Sequence, residues 1–480
     1  MVNIRRSLVI NFFSSSGSTI IQFIVSIMLA RMLSPSEIGV FSMTIVFVNI
    51  AHIFRDFGVG TYLQREPVLT PEKMKAATGV MFSTSWFIAV ALYVGSPWIA
   101  RWFNEPAMVS VMEVLAIGFL FIPFGSITHS LLTRDFAAGK QAIVNVVGTS
   151  VFAFTCLTLA YAGFGTMSMA WANLANIVAC AIAYVPLRPK NLPWMPSFRN
   201  WRGVLHFGVG TLFSNCLSSI NSAVPDILLG KLGNATLVGL FSRASSTVSI
   251  FGYIAGSTVN YGSLSYISQA YHRKEPIGPL LDKATSMVTA VGWPALALTY
   301  VLSTEIVLTL YGEKWLPAVP AIDALVLASI VGLVFNYTGT AMMAIGRPYL
   351  SAVPMIATLL TRITFGVVLF NGDIRSFSWA IFAATVAAVP VMIYQHYHYL
   401  GHRFTTMLTA LLPSALVTVA VTVAAMLLKM MLPSSLHALS VLLVLALPLA
   451  TVWYLALRMT GHPLTTEIHH FANGLKAKLA

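Results

Sequence analysis

Three arginines and two aspartates stand where charge is most costly, inside long apolar runs. Arg55, Arg243 and Arg362 interrupt stretches of otherwise apolar and small residues, as do Asp56, directly after Arg55, and Asp226. An ionised side chain at the centre of a bilayer costs about 2.5–3.5 kcal/mol on the most lenient scale, so each of these needs a compensating role. A guanidinium presents a planar fork of donors that pairs bidentately with phosphate oxygens. By position in their runs, Arg55 lies toward one side, Arg362 near the middle and Arg243 toward the other side. Such a series suits a hydrated path for a phosphorylated group. Asp56 and Asp226 could exchange a proton or hold a cation, and His52 shares a helix face with Asn49 and Asp56 at spacings of three and seven. The competing reading is local pairing, Arg55 with Asp56 and Arg243 with Asp226, plus snorkelling toward the interfaces. His129 and His206 read as packing residues near helix ends.

A second pattern is polar but uncharged. Ser14, Ser15, Ser18, Gln22 and Ser26 in the first apolar run follow the spacing i, i+1, i+4, i+8, i+12, and Ser214, Asn215, Ser218, Ser222 and Asp226 repeat it in the seventh. That spacing draws one stripe along a helix. Lipid does not tolerate a polar stripe of that length, so both faces are expected to look inward. Close helix packing through small residues is the alternative for the serines. The two stripes lie 200 residues apart, and the same shift aligns Arg31, Gly39, Phe41 and Ser42 with Lys231, Gly239, Phe241 and Ser242. The chain therefore reads as two parallel copies of a six-helix unit, related by an axis along the membrane normal.

The elements that carry these residues follow from composition. The chain has 480 residues, of which 57% are hydrophobic and 9% charged. So few charges cannot cover a water-facing surface, which excludes an ordinary soluble enzyme, a disordered chain and a nucleic-acid-binding domain. A helix needs roughly 20 apolar residues to cross the hydrocarbon, and charges, Gly and Pro divide the chain into about fourteen such runs. Their cores are 7–30, 38–62, 76–99, 109–132, 142–162, 166–187, 205–230, 237–264, 284–311, 317–344, 349–370, 377–400, 404–430 and 436–457. The fold class expected is an all-α polytopic membrane protein with two pseudo-symmetric six-helix bundles around a central cavity. Residues 1–188 form the first bundle, 189–203 a cytoplasmic linker, 204–402 the second bundle, and 403–480 two additional helices and a tail.

The net charge of +13 fits this topology. With a cytoplasmic N-terminus, the inside loops and tails hold most of the Lys and Arg, including Arg5, Arg6, Lys73, Lys75, Arg134, Lys140, Arg188, Arg202, Arg273 and Lys274. The outside loops hold Arg31, Arg101, Lys231, Lys314, Arg375 and Lys429. The start of the chain resembles a signal peptide, but its apolar run is too long and no small-x-small site follows, so it reads as the first membrane helix. Cys156, Cys180 and Cys216 lie in apolar stretches without a CxxC or a histidine at ligand spacing, which argues for core thiols and no metal site. Gly139-Lys140 is followed by Gln141, so no P-loop is formed, and HExxH and GxSxG are missing. The sequence points to transport without chemistry and to no cofactor beyond a coupling ion, H+ or Na+.

Five segments add a resemblance. ARMLSPSEIGVFSM (30–43), FRDFGVGTYLQRE (54–66), PDILLGKLGNATLVGLFSRA (225–244), LYGEKWLPAVPAI (310–322) and AIGRPYLS (344–351) resemble, in order, conserved segments of the polysaccharide transporter, or Wzx-type flippase, family. That family belongs to the multidrug/oligosaccharidyl-lipid/polysaccharide exporter superfamily. Asp226 falls on its frequent helix-seven Asp, although this chain has Ile227 where the family often has Arg, and Arg243 falls on the basic position of its G-L-Y-S-R-A-like segment. The resemblance implies a flippase of the bacterial inner membrane that carries oligosaccharide repeat units on undecaprenyl pyrophosphate for exopolysaccharide or lipopolysaccharide assembly. It implies alternating access coupled to an ion gradient, and polysaccharide polymerase and glycosyltransferase machinery as partners. On that reading Arg55, Arg243 and Arg362 hold the pyrophosphate. Ser18, Gln22, Asn215, Ser218 and Ser222 meet sugar hydroxyls, and Asp56, Asp226 and His52 serve ion coupling. A lipid II flippase and a cation-coupled multidrug exporter are the alternatives within the superfamily. A membrane polymerase or ligase would need a large outside loop.

Overall fold

Each apolar run becomes helical because a segment surrounded by hydrocarbon must satisfy its own backbone N–H and C=O groups. The computed structural model describes residues 4–66, 68–189, 197, 201–260, 263–433 and 435–469, with helices and no strand among them. The helices of the first half are α1 (Ile4–Met32), α2 (Pro35–Asp56), α3 (Val59–Arg65), α4 (Pro71–Phe103), α5 (Ala107–Arg134), α6 (Ala138–Tyr161), α7 (Thr166–Tyr184) and α8 (Arg202–Leu232). Those of the second half are α9 (Ala235–Asn260), α10 (Ser263–His272), α11 (Ile277–Val301), α12 (Ser303–Leu310), α13 (Val319–Val334), α14 (Thr338–Ala344), α15 (Ala352–Val368), α16 (Ile374–Leu400), α17 (Phe404–Met431) and α18 (Ala438–Met459). Among the described residues 12 segments are long and apolar enough to span a membrane. The helices α8 and α9, of 31 and 26 residues, fill the seventh and eighth expected runs.

Start and stop signals fix the ends. At α2, Ser34 Oγ accepts the Glu37 N–H while the Glu37 carboxylate accepts the Ser34 N–H at 2.7 Å, a reciprocal capping box with Pro35 at the first helical position. Asp373 caps α16 by accepting the Ser376 N–H at 2.7 Å, and the Ser376 hydroxyl first, with this backbone bond second, holds its carboxyl below the usual range. Three expected spans are broken. The second divides into α2 and α3 at Phe57–Gly58, the ninth into α11 and α12 at Leu302, and the tenth into α13 and α14 at Phe335–Tyr337. Beyond the end of the eighth expected run at 264, residues up to His272 form a further short helix, α10. Most of the expected linker (190–196 and 198–200) and the end of the tail (470–480) lie outside the described residues.

The chain divides into two compact units, Met1–Gly239 and Leu240–Ala480. The boundary falls beyond the 189–203 linker because α8 packs on α2, α3 and α4. In lipid, helices associate through close fit more than through expulsion of water, so small residues mark the contacts. Within the first unit a Cβ on Gly39 would fall 1.7 Å from the Ala235 carbonyl oxygen, and one on Gly239 would fall 1.8 Å from that of Pro35. Both glycines are therefore fixed by a backbone-to-backbone approach. Elsewhere in that unit Gly125 lies under the Tyr184 ring and Gly118 against Ile177. In the second unit α11 packs on α13 and α17, and α16 packs on α13 and α15.

Candidate functional site

The site begins with the break in the second span. Phe57 and Gly58 both adopt left-handed backbone, with φ of 37° and 67°. For phenylalanine this is a strained choice, and it stops α2 immediately after Arg55 and Asp56. The short α3 then restarts, anchored by buried Val59 and Leu63 against Met74, Met81, Ile127 and Leu131. Its C-terminal carbonyls are met by Arg134, whose Nη1 donates to Leu63 O at 2.8 Å and also to Glu66 O. Lys73 pairs with Glu66 at the same corner.

This framework leaves the end of α2 on a cavity of about 530 Å³ with a mostly polar wall. Arg55, Asp56, Gly58, Gly60, Thr61 and Gln64 line it from α2 and α3, Ser126, His129 and Ser130 from α5, and Ser218 and Ser219 from α8. An adjoining cavity of about 230 Å³ shares Arg55, Ser126 and His129 and continues to Asn176, Cys180 and Tyr184 on α7. His129 Nδ1 sits 2.9 Å from the Tyr184 hydroxyl.

Arg55 pairs through Nη2 with Asp56, so the local pairing weighed from sequence is present, and a chamber lies beside it. The guanidinium side chain is 12% exposed and the carboxylate 53%. Arg55 Nε is buried and has no hydrogen-bond partner. Leaving such a donor unmet costs about 1–3 kcal/mol, which an incoming anionic oxygen would recover. The exposed carboxylate of Asp56 is the group an anion would displace.

The other candidates are distributed. Ser218 joins Arg55 and Asp56 at the cavity, whereas Ser222, exposed on the same helix, donates its hydroxyl to the Ser218 carbonyl at 3.1 Å. Ser18 is half-buried and Gln22 exposed on α1, which packs on α6. The side chain of Asn215 lies outside the described residues. His52 stacks on Phe119, with ring centroids 4.6 Å apart. Asp226 is half-buried on α8 beside Pro225 and forms no salt bridge among the described residues. In the second unit Arg243 is half-buried on α9, where its carbonyl accepts the Thr247 hydroxyl at 2.8 Å, and Thr247 also meets the Tyr311 hydroxyl at 3.1 Å. Arg362 is half-buried midway along α15. Among the described residues no group of three or more His, Cys, Asp or Glu is placed to hold a metal ion.

Sequence reasoning passed over His129, Ser126, Ser130 and Tyr184 as cavity residues. The first three recur at i, i+3 and i+4 on one face of α5, a signal present in the sequence. It also gave no sign of an apolar cavity of about 440 Å³ among α11, α12, α17 and α18. Pro294, Leu298, Leu302, Val421, Leu445 and Trp453 are among its walls, and Trp453 is held by a 2.9 Å bond from its ring N–H to the Ala290 carbonyl.

Comparison with known proteins agrees with this architecture. The family model described as "Polysaccharide biosynthesis protein" matches residues 28–320. The teichuronic acid biosynthesis protein TuaB of Bacillus subtilis is 23% identical over 342 residues, 68% of each chain. The succinoglycan biosynthesis transport protein ExoT of Rhizobium meliloti is 22% identical over 322 residues, covering 66% of this chain and 64% of that relative. Among solved structures, the lipid II flippase MurJ in an inward closed conformation aligns with a TM-score of 0.75 at 14% identity, over 94% of this chain and 99% of its own. The chain belongs to the polysaccharide biosynthesis protein family and is a multi-pass membrane transporter acting in polysaccharide biosynthesis, not an enzyme.

Proposed function

We propose that the protein flips undecaprenyl-pyrophosphate-linked oligosaccharide repeat units from the cytoplasmic to the periplasmic leaflet of the bacterial inner membrane. The observation that carries this reading is Arg55, a buried guanidinium with an unmet Nε at the wall of a polar cavity. A pyrophosphate supplies the oxygens that Nε lacks and the charge that can compete with Asp56. Hydroxyls of Thr61, Ser126, Ser130 and Ser218 around it suit a sugar. Arg243 and Arg362 would hold the headgroup at later depths, and Ser18, Gln22, Asn215 and Ser222 would meet further hydroxyls. The apolar cavity of the second unit suits the isoprenoid chain. Counting α8 and α9 as spans gives fourteen crossings, with both termini cytoplasmic by the distribution of loop charges and two six-helix units related at offset 200. Alternating access would be driven by an H+ or Na+ gradient through Asp56, Asp226 and His52, alongside polymerase and glycosyltransferase partners.

The likeness in fold to MurJ supports a second reading, in which the cargo is lipid II. Reconstitution separates the two. Proteoliposomes holding the purified protein are expected to translocate a labelled undecaprenyl-pyrophosphate oligosaccharide and to leave lipid II in place. Movement of lipid II alone selects the second reading, and movement of neither lipid under an imposed ion gradient overturns both.

A further inference from the structure

The second unit contains a continuous chain of hydrogen-bonding groups that the proposed transport path does not use. Asp282 Oδ1 lies 2.8 Å from His402 Nε2, His402 Nδ1 lies 3.2 Å from His396 Nδ1, and His396 Nε2 lies 2.9 Å from the Thr338 hydroxyl. Local sequence assembles it. The helix α16 ends at Gly401, which takes the left-handed conformation at φ 61°, and the His402 N–H returns to the His396 carbonyl at 3.0 Å. This folds His402 back over His396, and Gly278 leaves room for its ring. His396, His402 and Thr338 are buried, and Asp282, 18% exposed, is the end open to water.

The arrangement permits one neutral pattern. With Asp282 ionised, His402 Nε2–H donates to the carboxylate, so His402 Nδ1 must accept. His396 Nδ1–H donates to it, which makes His396 Nε2 the acceptor of the Thr338 hydroxyl. A proton arriving on His402 makes it an imidazolium, whose Nδ1–H now faces another N–H. The contact survives only if His396 gives up its Nδ1 proton and takes one on Nε2, which then donates to the Thr338 oxygen. His402 gains one proton and the proton of His396 moves from Nδ1 to Nε2, so the site takes up one proton in all and every bond beyond His402 reverses direction.

The reversal ends at a weak point. Thr338 is the first residue of α14, at the break where α13 has stopped and Tyr337 caps the new helix. The released hydroxyl proton of Thr338 can turn to a terminal carbonyl of α13. A buried atom beside this junction, Gln395 Oε1, has no hydrogen-bond partner, so the arrangement seen is not fully satisfied. The other ionisable groups on the surrounding elements are engaged or exposed. Arg273 pairs with Glu275 after α10, Lys283 with Glu467, and Arg347 stacks on Tyr399. His398 stacks on Tyr394, and His272, Lys274 and Arg403 are exposed.

We infer that Asp282, His402, His396 and Thr338 form a proton-binding site in which uptake of one proton reverses the hydrogen bonds and loosens the α13–α14 junction. The site is distinct from Asp56, Asp226 and His52 and does not depend on which lipid is carried. Hydrogen–deuterium exchange on the full-length protein in lipid nanodiscs tests it without any transport assay. After correction for intrinsic exchange, protection of residues 334–345 is expected to fall about tenfold in a single step as the pH is lowered from about 8 to about 5. His402→Gln, which keeps a donor toward Asp282 but cannot titrate, should abolish the step. Should that variant not fold, Asp282→Asn should move the step down by about one pH unit or more, because the imidazolium loses its counter-charge. Protection that is flat with pH in the unmodified protein overturns the inference. So does an unchanged step in His402→Gln or in Asp282→Asn.

Discussion

The cavity at the end of α2 holds about 530 Å³ walled by an ion pair, hydroxyls and a histidine, while the one among α11, α12, α17 and α18 holds about 440 Å³ walled by leucines, a proline and a tryptophan. Similar volumes have been given opposite solvents. The cargo proposed above, with a phosphorylated, sugar-bearing head and a hydrocarbon tail, would call for both kinds of surroundings, since neither end is stable in those that suit the other. The polar cavity required a broken helix and a strained Phe57 to bring Arg55, Asp56 and the α3 residues to one wall. The apolar one is walled by α11, α12, α17 and α18, with Leu302 at the α11–α12 break in its wall and Trp453 tied down by its ring N–H.

The contrast breaks first at Arg55. Arg55→Ala removes a charged donor set and is expected to slow translocation of the lipid-linked oligosaccharide in proteoliposomes about a hundredfold, consistent with a loss of about 1.5–3 kcal/mol. Arg55→Lys, which keeps the charge and loses the fork, should recover part of it. An unchanged rate in Arg55→Ala would reduce the polar cavity to a packing feature. Arg362→Ala is expected to abolish polymer export while the protein stays in the membrane. Normal export from that variant would confine headgroup recognition to the first unit.

A smaller effect is expected in the apolar cavity. Ala446→Asp places a carboxylate in its wall and should weaken competition by a full-length isoprenoid carrier about tenfold while leaving a short-chain analogue unaffected, a split read from inhibition curves. Equal loss for both lengths would detach this cavity from the tail. The smallest effect concerns the stability of the same helices. His462, beyond the end of α18, is buried with Nε2 2.9 Å from Ser286 of α11 and 3.1 Å from Ser414 of α17, and burial lowers its pKa. The unfolded chain therefore binds the proton first on acidification. Stability from His462 is present above the ordinary histidine range near pH 6.5 and lost as pH falls through it. The unfolding temperature in detergent should drop modestly between about pH 7.5 and pH 5.5, and His462→Asn should flatten that dependence.

Much of the helical framework could be read from residues alone, because a span needs a minimum apolar length and its ends carry local signals. Ser34–Pro35 with Glu37, Thr70–Pro71 and Asp373 each start a helix where the sequence says one should start. The breaks at Phe57–Gly58 and Phe335–Tyr337 were not read, since no proline marks either, although Arg55, Asp56 and Gly58 at the first and Asn336 at the second interrupt the apolar run. Of the site, the charged residues were visible because their cost in an apolar run is visible. Tyr184 was not, since it reaches His129 across 55 residues and a helix interface. The chain from Asp282 to Thr338 was hidden for the same reason, with partners up to 120 residues apart. Periodicity reports faces, not which faces meet.

Gly39 and Gly239, 200 residues apart, each meet main-chain atoms of the other's helix at a distance that leaves no room for one more carbon. Main chain has no rotamer with which to yield, so a methyl at either position would have to shift a whole helix. Elsewhere the two stretches differ at that offset: Arg55 is matched by Ala255, and Arg243 by Met43. The two positions hold each other to the smallest residue, because a side chain at either would strike main chain.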